Sequence, residues 1–259
     1  MTYAVARPVL RIGHVRLDAL TLDDTLDAIE TLLARGDGGA VFTPNVDHVV
    51  LSERHAAFRN AYARADLSLA DGVPVVWASR LLGRPVPEKV SGSDLVWPLA
   101  HRAADCGWRV FLVGGRPGAA REVARRFRST CDLTVVGIDD SPINIDDPTT
   151  YAALVARIRE ARADVVLFAL GTPKQEIFVD RVRGAIGPAV AIGVGASFDF
   201  VAGMVRRAPA WMSRCGLEWF FRLCQEPRRM WRRYLVRDPE FLLVVLRTAL
   251  RQSRQRALS

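Results

Sequence analysis

The strongest constraint on the fold of this chain is the regular alternation of short apolar segments with longer amphipathic ones. Apolar segments typical of buried strands cover residues 40–42, 67–70, 108–113, 133–138, 164–170 and 190–194. The segments between them carry apolar residues at helical spacing, as in residues 22–33 after the N-capping Thr21. Because helices that connect parallel strands cover both faces of a sheet, this pattern predicts an α/β fold with a doubly wound, mainly parallel, Rossmann-like sheet.

Polar side chains follow two of these segments at the positions where the predicted strands end. Thr43 and Asn45 follow residues 40–42, and Asp71 follows residues 67–70. In parallel α/β sheets the carboxyl ends of the strands meet at one edge, where ligands bind. We therefore expect these side chains to line one crevice, with Asp71 as the candidate catalytic carboxylate. The alternative for Asp71 is a purely structural role as the N-cap of the helix that follows it.

Two further strand ends carry glycine or polar residues. Gly114 and Gly115 stand between a predicted strand and a predicted helix, an order typical of turns whose backbone N–H groups face a phosphate. The spacing is not the strict GxGxxG pattern, so a tight turn without a ligand is equally compatible with it. Gln175 lies in the polar cluster GTPKQE, residues 171–176, after another predicted strand.

The composition of the chain changes at residue 206. Residues 206–259 contain 13 arginines and four acidic residues, a net charge of +9, whereas the whole chain carries +8. We therefore divide the chain into an α/β catalytic domain, residues 1–205, and an Arg-rich helical appendage, residues 206–259. Large apolar residues interleave with the arginines, which favours an anionic membrane surface as partner. The alternatives are a helix packed on its own domain and a nucleic-acid surface, although no recognised nucleic-acid module is present.

The spacing of cysteines and histidines gives no indication of a metal site. The four cysteines lack the CxxC spacing of zinc sites and the density of a disulfide framework, so we expect free thiols in a reducing compartment. No apolar run has the length of a signal-peptide core at the start of the chain, or of a membrane span anywhere. We expect a cytoplasmic protein without a metal or another cofactor.

Six blocks of the sequence, taken in order, resemble the WecG/TagA/CpsF family of bacterial glycosyltransferases. They are residues 43–45 (TPN), 70–72 (ADG), 92–95 (GSDL), 111–115 (FLVGG), 171–176 (GTPKQE) and 207–228, which contains RAP, GLEW and EPR. The resemblance implies transfer of a hexose, such as N-acetylmannosamine or its uronic acid, from a UDP-sugar to a polyprenyl-diphosphate-linked saccharide in cell-surface polysaccharide synthesis. It also implies a peripheral position on the inner face of the bacterial plasma membrane. Assembly into a homo-oligomer is compatible with the resemblance.

The resemblance implies roles for single residues. Asp71 matches the family's proposed base, which would take the proton of the acceptor hydroxyl in an inverting transfer. The family's pocket positions that orient the sugar are matched by Thr43, Asn45 and Gln175. Of these three, Thr43 is also a candidate catalytic residue. The family lacks the metal-binding DxD motif, which is also absent here, so appendage arginines would stabilise the leaving diphosphate. The matching arginines are Arg222, Arg229 and Arg232, and the turn at Gly114 and Gly115 would help to hold the donor diphosphate.

The sequence departs from the family pattern at two places that bear on substrate specificity. Lys89 is a substrate-binding candidate at a position where relatives commonly carry arginine, and lysine lacks the bidentate fork of a guanidinium. Residues 139–144 (DDSPIN) replace an aromatic-containing glycine loop of relatives. A second hypothesis is a noncatalytic nucleotide- or nucleic-acid-binding α/β module, which would bind nucleic acid in a salt-sensitive way and release no UDP. A dehydrogenase is disfavoured because no strict glycine fingerprint is present.

Overall fold

The computed structural model describes residues 9–145 and 147–258, and within them it leaves out the side chains of residues 210, 214, 229 and 256–258. Eight strands occur in these ranges. They are β1 (Val9–Ile12), β2 (Val15–Asp18), β3 (Gly39–Phe42), β4 (Leu67–Ser68), β5 (Val110–Gly114), β6 (Val135–Asp139), β7 (Val165–Ala169) and β8 (Val190–Gly193).

The same ranges contain thirteen α-helices and one π-helical segment, Arg232–Arg237. The helices of the α/β part are α1 (Leu22–Arg35), α2 (Val46–Arg54), α3 (Ala56–Ala63), α4 (Val73–Leu81), α5 (Gly92–Asp105), α6 (Ala119–Cys131), α7 (Pro148–Glu160), α8 (Lys174–Val182) and α9 (Ser197–Val201). The C-terminal helices are α10 (Ala210–Arg214), α11 (Glu218–Gln225), α12 (Pro227–Trp231) and α13 (Glu240–Leu258).

Strands β3 to β8 form a six-stranded sheet in the order β4-β3-β8-β7-β5-β6. Every neighbouring pair in it is parallel. The central strands β5, β7 and β8 are buried along their whole length, because helices cover both faces of a parallel sheet. The α/β fold with a doubly wound, Rossmann-like parallel sheet is confirmed.

Two hydrophobic layers lie against this sheet. One contains side chains of the antiparallel hairpin β1–β2 and of helices α2, α3, α4, α7, α8 and α13. The other contains side chains of α1, α5, α6 and α9. The loops that follow the carboxyl ends of the strands form the candidate site.

The segment between β3 and β4 forms two helices, α2 and α3, which meet at His55. The backbone of His55 is extended, with φ −113° and ψ 102°, and its Nδ1 accepts a hydrogen bond from the Phe58 N–H at 3.4 Å. His55 thereby caps the start of α3, whose Phe58 and Tyr62 are fully buried. The sequence did not indicate the break, because apolar residues continue at helical spacing across residue 55.

The C-terminal helices pack partly on the α/β core. Pro227 has no backbone N–H to donate to the preceding turn, so α11 ends just before this residue and α12 begins at it. Phe241 and Val244 of α13 are buried in the layer that contains the hairpin. On the other side of α13, the leucines 242, 243, 246 and 250 are exposed. None of the helices in the described ranges combines the length and the apolar character needed to cross a membrane.

Candidate functional site

A cavity of about 510 Å³ lies at the carboxyl edge of the sheet, beyond β3, β4, β5, β7 and β8. Thr43 and Asn45 line it after β3, Asp71 after β4 and Gln175 after β7. Arg222 of α11 contributes part of the wall. The structure therefore brings the strand-end residues together, as parallel topology requires, and places C-terminal helices beside them.

Asp71 lies in the cavity wall and caps no helix. Its backbone N–H donates to the Pro44 carbonyl at 2.9 Å, which ties the end of β4 to the end of β3. Helix α4 has Gly72 as its N-cap, with φ 103° and no side-chain hydrogen bond, so the alternative role of Asp71 as an N-cap is wrong. Burial raises the pKa of Asp71 to about 6, with Lys89 opposing the shift and Glu218 adding to it. Such a carboxylate is ionised at neutral pH and is a stronger base than an ordinary aspartate.

Lys89 is held beside Asp71 by another carboxylate. Its ammonium pairs with Asp94, which also accepts hydrogen bonds from Ser91 and Arg207. Ser91 and Asp94 form the capping box of α5, so this cation is anchored to a helix terminus. Burial opposes ionisation of Asp94, but Lys89 and the hydrogen-bond donors hold its pKa at about 2. Lys89 is thus a fixed positive charge near Asp71.

Thr43 and Gln175 are almost fully buried in the cavity wall. The carboxamide of Gln175 is engaged at both ends. Its Oε1 accepts from the Gly195 N–H at 2.9 Å, and its Nε2 donates to Glu176 Oε1 at 3.0 Å. Gln175 therefore fixes the turn after β8, and a contact with a ligand would use its second lone pair or its second N–H.

The predicted arginines have different positions. Arg222 lines the cavity, with its guanidinium 5.4 Å from the centre of the Phe200 ring. Arg232 lies over the Trp231 ring at 5.3 Å, is exposed, and is not part of the cavity wall. The side chain of Arg229 lies outside the described residues. Sequence reasoning missed Arg233, which lines the cavity; the only available signal was its place beside Arg232 in an arginine pair.

The glycine turn after β5 reaches the cavity through Gly115. The Gly115 N–H donates to the Ala169 carbonyl at 2.9 Å, and the next N–H, of Arg116, donates to Asp199 Oδ1 at 3.2 Å. The Arg116 guanidinium also pairs with Asp199 and with Glu226. Both backbone donors are therefore engaged inside the protein, and the role of Gly114 and Gly115 in diphosphate binding stays a prediction.

A second cavity of about 420 Å³ adjoins the first. The two share five lining residues, namely Asn45, Asp71, Glu218, Arg222 and Arg233. Away from this shared wall the second cavity is lined mainly by apolar and aromatic side chains, including Trp219, Tyr234, Phe241 and Leu242. Asp71 therefore stands between a polar compartment and an apolar one.

A chain of hydrogen-bonded side chains leads from the protein interior to the wall of the polar cavity. Nδ1 of His48 lies 2.7 Å from the Tyr62 hydroxyl, and its Nε2 lies 2.6 Å from Thr172 Oγ1 in the cavity wall. Burial lowers the pKa of His48 to about 3, so the imidazole is neutral at physiological pH. Burial also raises the pKa of the neighbouring Glu176 to about 7. Neither residue was singled out as functional from the sequence; His48 itself lines the cavity, and Glu176 accepts a hydrogen bond from Gln175 Nε2.

The fold and the cavity define a class of protein: an α/β protein with a polar cavity at the carboxyl edge of a parallel sheet, whose wall contains a partly buried carboxylate with a raised pKa. The described residues contain no group of three or more His, Cys, Asp or Glu side chains arranged to hold a metal ion. The chain matches the model of the Glycosyl transferase WecG/TagA/CpsF family over residues 10–255 and belongs to that family. It is therefore a glycosyltransferase of cell-surface polysaccharide synthesis.

Proposed function

We propose that this protein is an inverting, metal-independent hexosyltransferase that uses a UDP-sugar and a polyprenyl-diphosphate-linked saccharide. The hexose would be N-acetylmannosamine, its uronic acid or a related sugar. The observation that carries the proposal is the position of Asp71, with its raised pKa, in the wall shared by a polar and an apolar cavity. A nucleotide-sugar suits the polar compartment, and an acceptor with an isoprenoid chain suits the apolar one.

In the proposed reaction the acceptor hydroxyl oxygen forms a bond to the anomeric carbon of the donor. The bond from this carbon to the diphosphate oxygen breaks, and its electron pair leaves with UDP. The hydroxyl proton passes to the Asp71 carboxylate, which the raised pKa makes a better proton acceptor. Attack on the face opposite the leaving group inverts the anomeric configuration, and one carboxylate is sufficient because the diphosphate needs no protonation.

Negative charge grows on the departing diphosphate, and Arg222 is the appendage arginine placed to stabilise it. It lines both cavities, and its packing on Phe200 restricts the orientation of its guanidinium. A preoriented guanidinium donates two hydrogen bonds to phosphate oxygens and requires little reorganisation during the reaction. Lys89 adds a second positive charge near the base, anchored by Asp94.

The decisive experiment is a UDP-release assay with a panel of UDP-sugars, a polyprenyl-diphosphate-linked N-acetylglucosamine acceptor and EDTA. We expect acceptor-dependent release of UDP by the wild-type protein, and loss of turnover with retained UDP binding in Asp71→Asn. Asp37→Asn, which changes an exposed carboxylate in the loop before β3, is the matched control and should keep full activity. Full activity of Asp71→Asn would refute the role of Asp71 as base, and a strict metal requirement would refute metal independence.

We also propose that the exposed face of α13 docks on the anionic inner surface of the plasma membrane. Leu242, Leu243 and Leu246 are 72%, 54% and 56% exposed, and Arg247 and Arg251 are exposed on the same helix. Apolar side chains that enter the headgroup region and arginines that meet anionic lipid act together in such binding. Each arginine near the surface contributes about 1 kcal/mol.

Vesicle sedimentation tests the docking surface. Arg247→Gln combined with Arg251→Gln should weaken binding to phosphatidylglycerol-containing vesicles by about 30-fold, the equivalent of about 2 kcal/mol. The matched control removes the same charge from the opposite layer of the fold, by Arg35→Gln and Arg128→Gln in α1 and α6. Equal weakening by both pairs would show that net charge alone matters and would refute α13 as the docking surface.

A further inference from the structure

Arg233 connects the C-terminal segment to the wall of the polar cavity. It lies in the π-helical segment, its side chain is only 19% exposed, and it lines both cavities. Its Nη2 donates a hydrogen bond to Asn45 Oδ1 at 3.0 Å. Its Nε lies 3.4 Å from Asp47 Oδ2. One guanidinium thus contacts two residues at the start of α2, far from it in the chain.

These contacts fix the orientation of the Asn45 carboxamide. A guanidinium only donates hydrogen bonds, so the Asn45 atom that faces Arg233 must be the oxygen. The His48 N–H also approaches this oxygen, at 3.4 Å, because Asn45 is the N-cap of α2. The amide nitrogen of Asn45 must therefore point away from both groups. It has no hydrogen-bond partner among the described residues, and Asn45 lines both cavities.

Asp47 in turn holds Arg233 in place. Its carboxylate is buried, with the side chain 4% exposed, and lies between two guanidinium groups. Besides Arg233, it faces Arg237, whose Nη2 lies 3.2 Å from Asp47 Oδ1. A buried carboxylate without a cationic partner is strongly unfavourable, so Asp47 keeps the two arginines close to the cavity wall.

We propose that Arg233 and Asp47 are positioning residues that turn the Asn45 amide nitrogen toward the substrate. In this arrangement Asn45 recognises the nucleotide-sugar by donating N–H hydrogen bonds to one of its oxygen atoms. Asp47 orients Arg233, and Arg233 holds Asn45 Oδ1. The inference rests on the proposed function for the identity of the ligand, but its evidence is the geometry of these three side chains. Fixed polar groups of this kind reduce the loss of orientational freedom on binding.

The first test is Asn45→Asp. Aspartate is as good an N-cap as asparagine and still accepts a hydrogen bond from Arg233, so the melting temperature should not fall. The N–H donors are lost, however, and we expect the KM for the UDP-sugar to rise by tenfold or more. An unchanged KM in Asn45→Asp would overturn the proposal, because it would limit Asn45 to its roles as cap and as partner of Arg233.

The second test is a double-mutant cycle that separates positioning from general structural support. Arg233→Lys keeps the positive charge but removes the planar guanidinium, which can donate hydrogen bonds to two groups at once. It should raise the KM for the UDP-sugar about tenfold, with a smaller effect on kcat. The same change made in an Asn45→Ser background, which keeps a capping residue, should have little further effect on KM. Asp47→Asn should behave in the same way, so the cycle can be completed with either variant if one of them fails to fold.

Equal effects of Arg233→Lys in the two backgrounds would overturn the proposal, since a purely structural role does not depend on Asn45. The dissociation constant of the UDP-sugar, measured by calorimetry without an acceptor, should follow the same pattern as KM. This readout also separates the two proposals. Binding without turnover in the wild-type protein would contradict the transferase function while leaving the positioning cycle measurable. Absence of coupling in an active enzyme would contradict only the positioning role.

Discussion

Replacement of Asp71 by asparagine should abolish turnover and at the same time make the folded protein more stable. Burial raises the pKa of Asp71 from 3.8 to about 6, which means that the folded state binds a proton more tightly than the unfolded state does. Stability contributed by this group is present below pH 3.8 and is lost as the pH rises through about 6. Asparagine resembles the protonated carboxyl in shape and charge, and it does not lose this stability at neutral pH.

The magnitude follows from the pKa shift. A difference of about two units at about 1.4 kcal/mol per unit gives about 3 kcal/mol in the free energy of unfolding above pH 7. For a chain of this size, that corresponds to an increase of about 6–12 °C in melting temperature. The attractions of Lys89 and Arg222 for the carboxylate are already contained in the net shift, because both of them lower the pKa of Asp71.

The assay is a series of thermal melts of both proteins between pH 4 and pH 8. The difference in melting temperature between Asp71→Asn and the wild type should be near zero at pH 4, grow as the pH rises to about 6 and stay constant above about 7. Other shifted carboxyls, such as Glu176 and Asp238, are present in both proteins and cancel in this difference. The activity of the wild type should show the same ionisation, with kcat/KM falling about tenfold per pH unit below about 6.

Two results would refute this reasoning. A difference in melting temperature that does not change with pH would mean that the stability of Asp71→Asn has nothing to do with ionisation of the carboxyl. A loss of stability in Asp71→Asn at pH 7.5 would mean that the ionised carboxylate makes net favourable contacts in the folded state. The exposed control Asp37→Asn should change neither the melting temperature nor its pH dependence.

Two other predictions follow from the geometry of the site. Arg222→Ala should lower kcat by about 10²–10³-fold in steady-state assays with EDTA, whereas Arg232→Ala, at an exposed residue outside both cavities, should change it little; similar losses in both would refute a specific role for Arg222. Gly193→Ala should lower the free energy of unfolding by about 1–3 kcal/mol in urea titrations, because a Cβ there overlaps the Gln175 carboxamide. Gly184→Ala meets no atom within 4 Å and is the matched control, so an equal loss in both would refute the steric explanation.

Much of the candidate site followed from the sequence, because parallel topology sends the carboxyl ends of strands to one edge. That rule predicted that Thr43, Asn45 and Asp71 would lie together, and they line one cavity. The topology rule gave no information on which polar groups of the site already form hydrogen bonds within the protein. The carboxamide of Gln175 bonds to Gly195 and Glu176, and the Gly115 N–H bonds to Ala169. These hydrogen bonds depend on loop conformations that residue patterns do not specify.

The sequence by itself determined the alternation of strands and helices and several of their boundaries, because these depend on local periodicity and capping residues such as Thr21. The strand order β4-β3-β8-β7-β5-β6 and the contact between Asn45 and Arg233, 188 residues apart, were decided only by the tertiary structure. The same holds for the raised pKa of Asp71. Burial and long-range charge pairs depend on which segments pack together, and local residue patterns do not contain that information.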